Sequence, residues 1–159
     1  MRAWLISHLV LLLVIANGTP ALLGLALGPR GNRPLDNNRQ FPDNRPLLGP
    51  SKTVRGFISA IAVTGLLAPL FELTILEGAS FALLAMLGDL SSSFIKRRLG
   101  LASSRSVPLL DQLPETILPL WGMQTVLGAS GTEMALAVAI FIVIDLLLSG
   151  MLRRHSGNN

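Results

Sequence analysis

Residues 3–28 read AWLISHLVLLLVIANGTPALLGLALG and contain no Asp, Glu, Lys or Arg. As a helix they would measure about 39 Å against roughly 30 Å of bilayer hydrocarbon, so the stretch reads as a membrane span with Pro20 inside it. A cleaved leader is the rival reading, because Arg2, the apolar run and the small residues of IANG resemble one. The apolar sequence resumes after Pro20, which favours a retained span.

Further along, Glu72 and Glu77 are the only charges between Arg55 and Asp89, which predicts two shorter spans at 54–71 and 74–88 that turn near Pro69 to Gly78. A fourth run, 116–132, lies between Glu115 and Glu133, and a fifth, 134–152, ends at Arg153 and Arg154. The expected fold is an all-α integral membrane protein, one domain over 1–159, with about five transmembrane helices and two long loops at 29–53 and 89–115. Composition agrees: 50% of residues are hydrophobic and 14% charged, with a mean hydropathy of +0.58. Five spans of roughly 20 residues leave no room for a soluble domain of ordinary size. The absence of Cys excludes thiol chemistry and thiolate metal sites. With 5% aromatics and no Tyr there is no stacking platform for nucleic acid, despite a net charge of +4.

The cations account for that charge differently. Six (Arg30, Arg33, Arg39, Arg45, Lys52, Arg55) fall in the first loop or just after it, four (Lys96, Arg97, Arg98, Arg105) in the second, and two (Arg153, Arg154) in the tail, leaving Arg2 alone on the other side. The positive-inside rule then places both loops and the carboxyl terminus in the cytoplasm, in a multi-pass protein of the cell membrane.

The first loop, RPLDNNRQFPDNRPLLGPSKTVRG (33–56), is too rich in Pro and Asn for long regular structure. Ser51 and Thr53 stand at the expected start of the second span, where free N–H groups and the helix dipole suit a phosphate, and Lys52 and Arg55 add formal charge. A Walker A loop would need Gly where Pro46 and Ser51 stand, so this is not one. The second loop begins LGDLSSSFIKRRLG (87–100) and ends VPLLDQLPE (107–115). If the third helix continues past Asp89, then Asp89, Ser93 and Lys96 share a face. Asp89 and Asp111, with no His or Cys beside them, suit Mg2+ shared with substrate phosphates; the simpler alternative makes KRR a topology signal and Asp89 its partner. His8 and His155 lie near opposite ends, so no Ser/His/Asp arrangement is available. Nucleotidyl or phosphoryl transfer, which runs on positioning and charge neutralisation, fits two such loops on one membrane face.

These residues also resemble a known family. ANGTPAL in the first span, RPLDNNRQFPDNRPLLGPSKTVRG, GDLSSSFIKRRLG and PLLDQLPE are similar, in order, to motifs of the archaeal CDP-archaeol synthases and their bacterial relatives. The resemblance implies a five-helix enzyme that uses Mg2+ to join CTP to a membrane lipid phosphate, giving a CDP-lipid and pyrophosphate. Carried over by position, it implies site residues Asp36, Asp43, Arg45, Lys52 and Thr53 from the first loop. From the second it implies Asp89, Ser93, Lys96, Arg97, Arg98, Asp111 and Gln112. Archaeal members usually read DQLDF where this chain has DQLPE at 111–115, which resembles the bacterial branch and leaves ether or diacyl acceptors open.

The expected mechanism has the lipid phosphate attack the α-phosphorus of CTP, with Asp89 and Asp111 holding Mg2+ and Lys52, Lys96, Arg97 and Arg98 neutralising phosphates. Lys52, Asp89, Lys96 and Asp111 are the expected catalytic group; Asp36, Asp43, Arg45, Thr53, Ser93, Arg97, Arg98 and Gln112 bind substrate. A CDP-alcohol phosphotransferase would carry the pattern DG-x2-AR-x8-G-x3-D-x3-D, which is absent. A non-catalytic membrane protein that binds anionic lipid or phosphate is the alternative. Asp145, inside MALAVAIFIVIDLLLSGM, faces either a polar cavity or a hydrogen-bonding neighbour, with Ser149 one turn away.

Overall fold

The computed structural model describes residues 1–28, 31–103 and 105–156, with side chains as far as Gly150. Arg30 and the side chains of Arg153 and Arg154, which enter the cation count, lie outside the described residues. The chain forms helices α1 (Ala3–Leu27), α2 (Val54–Leu67), α3 (Ile75–Arg98), α4 (Gln112–Gly122), α5 (Gln124–Leu127) and α6 (Gly131–Ser156). Among the described residues there are no strands, only isolated bridges Pro34–Thr53 and Gln40–Pro46 in the first loop.

This is an all-α membrane protein. α1, α2 with its 3-10 extension Ala68–Phe71, α3 and α6 are each long and apolar enough to cross a bilayer. Leu22, Leu25, Ile58, Leu66, Leu83 and Leu147 remain exposed on the outside of the bundle, as side chains meant for lipid would.

The expected fourth span takes a different form. α4 is 11 residues long, about 16 Å, and the chain breaks at Met123 before the four-residue α5 ends at left-handed Gly128. Pro119 within α4 and the glycines at 122 and 128 explain the break. α4 and α5 still run from the loop end of the bundle to the opposite end, where Arg2 donates to the carbonyl of Gly128 and pairs with Glu133 at 2.8 Å.

α3 departs from expectation in the other direction. It continues past Gly88, the expected end of the third span, as far as Arg98. Nothing in LSSSFIKRR breaks a helix, and Lys96, Arg97 and Arg98 in the last turn suit the negative end of its dipole. The start of α3 is set by a capping box, with Thr74 accepting from the Glu77 N–H and Glu77 accepting from the Thr74 N–H.

Side-chain size along α1 divides the bundle into two halves. Leu5, Leu9, Leu12 and Leu13 pack with Phe81, Leu120, Leu127 and Phe141 into a dense apolar core toward the amino-terminal end. Further along α1, Ala16 clusters with the small residues Ala82 and Ala85, and beyond it Asn17, Pro20, Ala21 and Gly24 border open space. Large residues fill one half, and small ones leave a cleft in the other.

Candidate active site

The cleft has a volume of about 530 Å3 and lies between α1, the start of α2, α3 and α4. Its polar wall comes from Asn17, Ser51, Lys52, Thr53, Arg55, Asp89 and Glu115. Thr53 is the N-cap of α2, accepting from the Gly56 N–H at 3.2 Å. The start of this 14-residue helix, with its dipole and flanking cations, borders the cleft.

Lys52 reaches across to α3, its Nζ lying 2.6 and 2.5 Å from the two carboxylate oxygens of Asp89. Both side chains are about one fifth exposed, so the pair is open to an incoming anion. Three of the expected site residues, Lys52, Thr53 and Asp89, thus meet at one cleft.

The other expected site residues serve contacts behind it. Asp36 is buried and accepts from the backbone N–H groups of Asn38, Leu48 and Gly49, which ties the first loop into a compact turn. Gly49 has φ +98°, and a Cβ there would meet Ser103 Oγ at 2.9 Å, so this turn requires glycine. Asp43 pairs with Arg98, whose guanidinium also donates to the Pro46 carbonyl and covers the rings of Phe41 and Phe94. Arg45 donates to the Arg98 carbonyl. Together these contacts clamp the first loop to the end of α3.

Lys96 pairs with Asp111 at 2.7 Å, and Arg97 donates to the carbonyls of Leu101 and Ala102. Ser93 is buried within the bundle. Gln112 donates to Asp145 at 2.7 Å and accepts from the Leu109 N–H, so Asp145 has its hydrogen-bonding neighbour on α4. Asp89, Ser93 and Lys96 do not act as one polar face: Asp89 turns to the cleft and Lys96 to Asp111.

Polar cleft residues outside the expected set are Asn17, Asn32, Ser51, Arg55 and Glu115. Asn17 belongs to the ANGTPAL motif, and its Oδ1 is buried without a hydrogen-bond partner among the described residues. Arg55, in sequence a cation at the helix start, donates to the Gly28 carbonyl. Glu115, in sequence the border of an apolar run, has a buried side chain that lines the cleft. The DQLPE departure is the signal at that position.

A polytopic helical membrane protein with a lysine–carboxylate pair and a helix N-terminus at a cleft between its helices is the class these features define. The chain belongs to the CarS-like, CDP-archaeol synthase family, whose model matches residues 4–153. It is 41% identical over 111 residues to the CDP-archaeol synthase of Aeropyrum pernix, covering 66% of this chain and 60% of that protein. It is 39% identical over 104 residues to that of Hyperthermus butylicus, covering 62% of this chain and 59% of the relative. The matched region therefore spans about three fifths of these curated relatives. A solved structure described as an intramembrane enzyme for archaeal membrane lipids biosynthesis superposes with a TM-score of 0.73 at 34% identity, covering 89% of this chain and 90% of that one.

Proposed function

We propose that the protein is a CTP-dependent cytidylyltransferase that joins CTP to a membrane lipid phosphate, either archaetidate-like or phosphatidate-like. The observation that carries this reading is the cleft itself, where Lys52, Arg55 and the α2 N-terminus face Asp89 beside the membrane-spanning α1. Family membership supports the same reaction class.

In this reaction a lipid phosphate oxygen forms a bond to the α-phosphorus of CTP while the bond to the β-phosphate oxygen breaks, releasing pyrophosphate. The nucleophile is already anionic at neutral pH, so no histidine base is needed. Lys52 leaves Asp89 to meet phosphate oxygens, beside the positive end of the α2 dipole. Lipid tails stay among the helices, beside Pro20, Ala21 and Gly24.

Mg2+ is part of the proposal. The donors fit a hard cation: Asp89, Glu115 and the unpartnered Asn17 Oδ1 all border the cleft. Among the described residues no three acidic or histidine side chains gather as a metal cage, so the ion would take much of its shell from substrate phosphates and water. Asp89 would hold the ion there. Asp111, the second carboxylate expected from the sequence, faces Lys96 and is not among the cleft-lining residues. When bound, the ion would neutralise and polarise phosphate oxygens.

The test is turnover of radiolabelled CTP by purified protein with a panel of ether and diacyl lipid phosphates. A labelled CDP-lipid with release of pyrophosphate supports the reading. No product with any acceptor, from protein that remains folded, favours the non-catalytic alternative.

A further inference from the structure

Glu115 stands in the first turn of α4, and its backbone is pressed against α3 beside Asp89: a Cβ built on Gly88 would lie 2.6 Å from the Glu115 Cα. The residue is only 8% exposed. Its carboxylate makes no hydrogen bond or ion pair among the described residues, although it lies within electrostatic reach of Asp89, Lys52, Asp111 and Asp145.

Among the described residues the other buried charges are matched. Lys96 has Asp111, Arg97 has two carbonyls, Asp36 has three N–H groups and Glu133 has Arg2. A carboxyl group that borders the cleft with no protein hydrogen bond is left to a ligand from outside the chain. It borders the same cleft as Asp89, where the Lys52 ammonium already marks a position that attracts a cation.

We propose that Glu115 and Asp89 together form a divalent-cation site in the cleft, with Lys52 occupying Asp89 in the cation's absence. The inference deepens the reading above by naming the second carboxylate at the proposed Mg2+ site, and it places that role on Glu115 rather than on Asp111. Like charges held beside each other favour a cation over a nucleoside hydroxyl, which one carboxylate would satisfy.

The test uses the full chain in detergent with Fe2+ as the probe: ascorbate and peroxide generate radicals that cut backbone near the bound metal. Cuts beside Asp89 and Glu115, suppressed by excess Mg2+, are expected. Cuts confined to the neighbourhoods of Lys96 and Asp111 would overturn the proposal. In parallel, Glu115→Gln should weaken Mn2+ binding, read by electron paramagnetic resonance, by about tenfold or more. Parental Mn2+ affinity in a folded variant would overturn it, and the wild-type cleavage pattern decides if the variant does not fold. Mn2+ bound at these residues without CTP turnover would remove the proposed reaction and leave the cation site. Turnover without metal at Glu115 would do the reverse.

Discussion

Asp36 and Asp89 are both acidic residues of the matched motifs, but their surroundings give them different work. Asp36 accepts three backbone N–H groups inside the first loop. Asp36→Ala would strand those donors, at a cost on the order of 3 kcal/mol, and should lower thermal stability and speed proteolysis between Arg33 and Arg45. Asp89, paired with Lys52 at the cleft edge, has little such structural burden. Asp89→Asn should reduce CTP turnover by about a hundredfold or more while leaving the unfolding temperature close to parental. Turnover within about threefold of the parent, less than roughly 1 kcal/mol, would remove Asp89 from the reaction. The residue types are legible from sequence; which acid faces a ligand and which faces backbone is decided by contacts from distant segments.

Helix contacts control how the cleft is held. Gly88 lets α4 approach α3 so closely that a Cβ would meet the Pro114 carbonyl oxygen at 2.2 Å. Gly88→Ala should therefore lower thermal stability and CTP turnover together, because backbone rather than a movable side chain must give way. Gly24 has nothing within 4 Å of a built Cβ, and Gly24→Ala should unfold at or slightly above the parental temperature. Equal unfolding temperatures for the two variants would contradict this packing. On α6, Asp145 accepts from Gln112. Asp145→Asn preserves an acceptor oxygen and should keep near-parental stability, whereas Asp145→Leu strands the Gln112 amide and should lose about 1–3 kcal/mol, read by thermal unfolding.

For the whole molecule, the described loop-end cations lie opposite Arg2, which is held at the other end by Glu133. Labelling of single cysteines at positions 40 and 103 should occur only from the cytoplasmic side, while a cysteine at position 1 should label from outside. External labelling at 40 or 103 would reverse the proposed orientation.

The apolar runs, the cap at Thr53 and the turn around Pro69 are readable in the sequence because hydropathy, capping and backbone restriction act over neighbouring residues. The broken fourth crossing is less legible, since an apolar run does not reveal where Pro119 and Gly122 will divide it. Family motifs mark both loops without distinguishing clamp from cleft. Only tertiary packing separates Lys52 and Asp89 from Arg98 and Asp43, and brings Glu115 from the edge of an apolar run to the cleft. Those roles depend on which residues far apart in the chain come within a few ångströms, a quantity that local periodicity does not contain.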